Sequence, residues 1–259
     1  MTHYPSLLSA FKTAIDFSPA KRLDLVIPSA GVAGSSIVTD AFPPELAPDA
    51  DLPEPSLKTL DINLNATYTT AILALHYFAK SRVDGKQSVA ASGQTLSGEH
   101  KAPEPHLLFI SSMSGYFDGI PLAPNYTAAK FGVRGMFKTL RSYGPRLGGV
   151  RVNMLAPWFI DTAITDHLNA SLKQAGMKFG SVDDFVQGAM RVCCDESIVG
   201  RSVCVAPKVE GGEAGSGNFD LCDDWEGADG IREFYARLNT KLFYKTEEPV
   251  NVAKLWGFE

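Results

Sequence analysis

Residues 106–130, HLLFISSMSGYFDGIPLAPNYTAAK, decide how this chain is read. HLLFI is a short apolar run closed by two hydroxyls, Ser111 and Ser112, the pattern of a strand buried on both faces. Gly115, Gly119, Pro121 and Pro124 then mark a loop. Pro124 and Asn125 open a helix from about 125 to 142 that carries Tyr126 and Lys130. Positions i and i+4 share one helix face. An ammonium beside a phenol favours phenolate, so the spacing predicts a tyrosine pKa below the usual value of about 10. Such a phenol can exchange a proton with an alcohol oxygen, and Ser112 at the strand end can hold that oxygen. By itself the pair is weak, because most such pairs are a solvated lysine beside a half-buried tyrosine.

Outward from this stretch the chain alternates helix and strand. Leu7, Leu8, Phe11, Ala14 and Ile15 predict a helix over 4–17. LDLVIPSAGVAG (23–34) reads as a buried strand and a tight turn. Segment 40–55 is an acidic, proline-rich loop, and 56–80 is a long helix. Residues 81–105 are polar and rich in Gly, Ser and Ala, and read as a mobile surface insertion. VRVNMLAPWFIDT (150–162) is another buried strand, and 163–177 a short amphipathic segment. Residues 181–195 form a helix capped by Ser181 with an acid three positions on. SVCVAP (202–207) is a final strand, and 230–245 an amphipathic helix. GGEAGSG (211–217) is a flexible turn; it lacks the Lys-Ser/Thr end of a phosphate loop and has acids nearby. The order implies an α/β fold, a Rossmann-like parallel sheet with helices on both faces, with ligands bound beyond the strand carboxyl ends.

Composition excludes several functions. The 259 residues are 45% hydrophobic and 20% charged, as in ordinary globular proteins. A net charge of −5 and no basic cluster argue against nucleic acid. Cys193, Cys194, Cys204 and Cys222 form no C-x-x-C pair and, with five histidines, show no metal spacing. They read as reduced thiols of a cytoplasmic protein. No apolar run approaches the roughly 20 residues that span a membrane, and MTHYPSLLSAF has no secretory pattern.

ISSMSG with NYTAAK, LDINLNATY and RVNMLAPWFIDT, in this order and at these separations, make the chain resemble a short-chain dehydrogenase/reductase of fungal type over roughly residues 4–207. The resemblance implies that Tyr126 is the acid/base, that Ser112 hydrogen-bonds the substrate oxygen, and that Lys130 lowers the tyrosine pKa and holds the nicotinamide ribose. It implies that Asn63 positions a water of the proton relay and that Thr162 contacts the nicotinamide amide. Ala30, Gly31, Pro157, Trp158 and Ile160 would complete the contacts to NAD or NADP. The implied substrate is a small ketone or secondary alcohol, and the apolar segment 158–180 suggests a hydrophobic one. Pairing through the two long helices would give a homodimer or homotetramer.

The pattern also departs from the family. No G-x-x-x-G-x-G follows an early strand, so the usual pyrophosphate turn is not found there. The family's Asn-Asn-Ala-Gly turn reads Pro28-Ser29-Ala30-Gly31, and its Pro-Gly reads Pro157-Trp158. The expectation is therefore a partial domain over 1–259, lacking the N-terminal strands, with an insertion at 81–105 and an extension at 208–259. Strand 23–29 would be an unpaired sheet edge, and the dinucleotide would bind weakly. A truncated, inactive relative that serves as a binding partner or scaffold is the alternative.

Overall fold

The computed structural model describes residues 2–47, 49–92, 104–117, 123–144, 149–174, 176–207 and 217–222. Residues 93–103 of the segment 81–105 and most of 208–259, including 211–216 of the expected turn and the whole of the expected 230–245 helix, lie outside the described residues.

The helices are α1 (Tyr4–Phe17), α2 (Ile37–Ala41), α3 (Lys58–Leu60), α4 (Ala66–Ser92), α5 (Pro124–Tyr143), α6 (Asp166–Gln174) and α7 (Val182–Cys194). A π-helical turn, Asp61–Asn65, joins α3 to α4. The strands are β1 (Leu25–Val26), β2 (His106–Ile110), β3 (Arg151–Pro157), β4 (Ser202–Val205) and β5 (Phe219–Asp220). They form one sheet in the order β1-β2-β3-β4-β5. The first four are parallel, and β5 runs antiparallel to β4.

Alternation along β2 explains why both faces are covered. Leu107 and Phe109 join a core with Leu7 and Phe11 of α1, Phe78 of α4, and Val133 and Phe137 of α5. Leu108 and Ile110 point the other way, with Leu155 of β3 and Val192 and Phe185 of α7. Successive strand side chains face opposite sides, so a strand clad twice must be apolar throughout. Ala129, Val133 and Phe137 form the matching stripe on α5. Its first turn is Pro124, whose missing N–H costs nothing there. Gly132 lets α5 approach the π-turn closely: a Cβ there would fall 2.6 Å from Leu64 Cδ1. On α7 the expected cap is a full capping box, Ser181 with Asp184.

Three expectations change. The strand expected over 23–29 is two residues long, and Leu25 is 41% exposed rather than buried. It pairs only with β2, so the described sheet covers it from one side and leaves it as an edge. The helix expected to end at 80 continues to Ser92, where Lys, Gln and Ala are good helix formers. The short α2, capped by the Ser36 side chain, and β5 were not foreseen. No helix among the described residues is long and apolar enough to cross a membrane.

Candidate active site

A cavity of about 430 Å³ opens beyond the carboxyl ends of β1, β2 and β3. This is where open parallel sheets place ligands. Ser112, Tyr126 and Lys130 line it together with Gly31, Pro157, Trp158, Ile160 and Thr162. The structure thus gathers most of the residues singled out in the sequence. Ala30 and Asn63 are not among the lining residues.

Ser112 follows β2 and caps a 3-10 turn, Met113–Gly115, by accepting from the Ser114 N–H at 3.1 Å. Its Oγ also donates to the Pro157 carbonyl at 3.5 Å, and its nearness to the Tyr126 hydroxyl favours the charged form of that phenol. The two side chains expected to share a substrate oxygen line the same cavity.

Tyr126 corrects the expected sense of its pKa. Burial pushes it above its usual value, and the Ser112 hydrogen bond only partly offsets this. Spacing did bring Lys130 near, with Nζ 5.5 Å from the ring centroid. But the same burial that stacks them opposes charge on both. Lys130 is 7% exposed, and burial lowers its pKa to about 8. Its Nζ donates to the Ile110 carbonyl at 3.2 Å. Desolvation thus decides the sense of the shift at Tyr126.

Asn63, 1% exposed on the π-turn, spends its whole side-chain amide on one residue. Its Oδ1 accepts from the Val32 N–H and its Nδ2 donates to the Val32 carbonyl, both at 2.9 Å. Its own carbonyl accepts from Thr67 Oγ1 at 2.9 Å. Asn63 therefore fastens the loop after β1 rather than lining the cavity. Gly34 of that loop lies so near Tyr126 that an added Cβ would sit 2.8 Å from the tyrosine Cβ. A further link comes from Asn125, whose Nδ2 donates to Ser35 Oγ at 2.5 Å, while Ser35 Oγ donates to Asp40 at 2.6 Å. Sequence reading missed this link, because Ser35 and Asn125 lie 90 positions apart.

On the other side, the segment after β3 folds out and back. Ile160 bridges Gly180 in parallel, and the Gly180 N–H donates to the Phe159 carbonyl at 2.8 Å. Thr162 Oγ1 donates to the Ile160 carbonyl at 3.4 Å, and Thr165 Oγ1 does so at 2.9 Å. Asp161 ties the segment together, accepting from Asn169 Nδ2 and pairing with Lys173 Nζ, each at 2.6 Å. Thr165, Phe159, Ile164 and Phe185 also line the cavity. They were not singled out beforehand; the run of apolar residues over 158–180 was their only signal.

The chain's residues suit the nicotinamide end of a dinucleotide. Gly31, Val32, Ala33 and Gly34 offer a wall of small residues where backbone can be approached. Lys130 presents a cation to the cavity, and Thr162 and Thr165 present hydroxyls. Among the described residues no cluster of histidine, cysteine and acids could hold a metal ion.

A family model for short chain dehydrogenases matches residues 2–173. A 5'-hydroxyaverantin dehydrogenase of Dothistroma septosporum is 34% identical over 235 residues, covering 87% of this chain and 69% of its own length. An NADP-dependent dehydrogenase, M3, of a Phoma species is 36% identical over 235 residues, covering 86% of this chain and 63% of its own. The chain thus spans about two thirds of these relatives. Among solved structures, a gluconate 5-dehydrogenase from Burkholderia cenocepacia in complex with NADP and tartrate superposes with a TM-score of 0.58. It is 17% identical, with 79% of this chain and 71% of that one covered. At that identity the likeness concerns the fold alone.

Proposed function

Because this chain belongs to the short-chain dehydrogenase family, we propose that it is an oxidoreductase interconverting a ketone and a secondary alcohol with NAD or NADP. The observation that carries the reading is that Ser112, Tyr126 and Lys130 converge on one cavity. When bound, the nicotinamide gives or takes the hydride. The residues of the chain handle the proton.

In reduction, Tyr126 donates its proton to the carbonyl oxygen. Its raised pKa keeps it protonated at neutral pH, the form that this direction needs. Ser112 donates to the same oxygen as negative charge develops there. In oxidation the phenol must first lose its proton, and Lys130, charged below about pH 8, favours that phenolate from the same helix face. Lys130 also holds the ribose hydroxyls. Thr162 and Ile160 hold the nicotinamide amide, beside Pro157 and Trp158, and Gly31 and Ala30 shape the turn on the opposite wall. Asn63 keeps that turn in place through Val32. The mostly apolar lining suits a hydrophobic substrate, with partner copies in a homodimer or homotetramer and a cytoplasmic setting.

The test follows the absorbance of reduced nicotinamide while the chain is offered NAD or NADP with a panel of secondary alcohols, and the reduced forms with ketones. Turnover of at least one pair supports the reading. Tight dinucleotide binding with no turnover of any alcohol or ketone contradicts it.

A further inference from the structure

The cavity has two unlike walls. One is the loop 31–34, built of Gly, Val, Ala and Gly. The other begins at Trp158, directly after the Pro157 carbonyl that Ser112 contacts. Trp158 is fixed in place: its backbone N–H donates to the Val205 carbonyl at 2.8 Å. The Phe159 ring meets the indole edge-on, with centroids 5.0 Å apart and planes at 89°. Phe117, on the loop after β2, lies 5.8 Å from the indole at 37°. Phe179 extends the run, 6.0 Å from Phe159.

Burial divides these rings by role. Phe159 is 8% exposed and serves as backing, whereas Phe117 is 40% exposed and Trp158 is only partly buried. Trp158, which lines the cavity with Ser112, therefore keeps free surface there, and Phe117 keeps free surface where it packs against the indole at the edge of that lining. Beyond them Ile164, Val182 and Phe185 continue an apolar lining, and among the described residues that line the cavity Lys130 is the only charged side chain. A charged substrate would leave water with no further counter-charge to meet it. An aromatic one would gain offset or edge-on contacts that an aliphatic ring of equal size cannot make.

We propose that Trp158 and Phe117 form the seat for an aromatic ring, and that the substrate is an uncharged ketone or secondary alcohol bearing an arene next to the reacting carbon. The inference rests on the oxidoreductase reading above. The arene lies against the indole with the reacting oxygen directed to Ser112 and Tyr126. Trp158 then determines specificity, because it fills a place where a small residue would leave the wall open.

Calorimetric titration of the chain with 1-phenylethanol and 1-cyclohexylethanol, in the presence of NADP, separates the possibilities. The phenyl alcohol should bind about five-fold tighter or better. Trp158→Leu should bring the two within about two-fold, and Phe117→Leu, at a more exposed position, should narrow the gap in part. Equal binding of both alcohols to the natural chain, or a preference that survives both substitutions, overturns the inference. Turnover is read separately. An arene preference in binding supports the aromatic seat whether or not these two alcohols are oxidised, and the oxidoreductase assignment falls only with loss of turnover across the whole panel described above.

Discussion

Asn63 and Val32 are joined by two hydrogen bonds of 2.9 Å, one in each direction, between a buried side-chain amide and a loop backbone. This pairing fixes the loop that forms one wall of the cavity. Asn63→Ala leaves a backbone N–H and a C=O without partners, which should cost roughly 2–3 kcal/mol. Asn63→Asp should do no better, because its second oxygen would face the Val32 carbonyl. Denaturant titration checks the stability, and the Michaelis constant for the dinucleotide should rise in both variants.

Lys130 is held in its site against its own solvation. Its folded pKa is about 8 against an ordinary 10.5, so between these values the unfolded chain keeps a proton that the folded chain has released. Stability is full above pH 10.5, falls as pH drops toward 8, and stays low below. The difference is roughly 3 kcal/mol. Lys130→Met should therefore stabilise the chain by up to about that amount near pH 7, lose the gain above pH 10.5, and abolish turnover. Equilibrium unfolding at the two pH values reads this.

His106 sets an acid limit. Burial, with Arg151 adding to it, lowers its pKa from 6.5 to about 4. Its Nε2 accepts from Asn153 Nδ2 at 3.0 Å, and Asn153 also holds the Ile198 carbonyl and the Arg201 N–H. Here stability is present above pH 6.5 and is lost as pH falls toward 4. His106→Gln keeps an acceptor without the titration, and its stability should be flatter across that window by up to about 3 kcal/mol.

The Asp40–Ser35–Asn125 link is predicted to steady Tyr126 from outside the cavity. Ser35→Ala removes the acceptor of Asn125 at the first turn of α5. kcat should fall by about ten-fold with little change in the pH profile, since no group touching the phenol is altered. Ser35→Thr should restore most of the rate. An unchanged kcat in Ser35→Ala would show that the link is only structural.

Much of this was legible in the sequence, for local reasons. The apolar run 107–110 and the largely apolar 150–156 read as strands buried on both faces, and the Ser181–Asp184 box marks its helix start by residue type alone. Ser112, Tyr126 and Lys130 meet because a strand end and the first turn of the following helix are close in any βαβ unit. What stayed hidden depends on distant packing. Nothing near Asn63 announces a π-turn or a bond to Val32. β5 is two residues long and exists only because β4 pairs with it, and the expected strand over 23–29 shrinks to the two residues that pair with β2. The sense of the Tyr126 shift was misread because i, i+4 spacing gives proximity but not burial, and burial decides it.

The central claim is that Tyr126 moves the proton in a nicotinamide-dependent reaction of an alcohol. Its most direct test is kcat for oxidation of a secondary alcohol at saturating NADP, compared between the natural chain and Tyr126→Phe with dinucleotide binding measured in both. The account predicts a loss of about 10²–10⁴ in kcat with dinucleotide affinity unchanged. A Tyr126→Phe chain that keeps its rate within a few-fold of the natural one would contradict it.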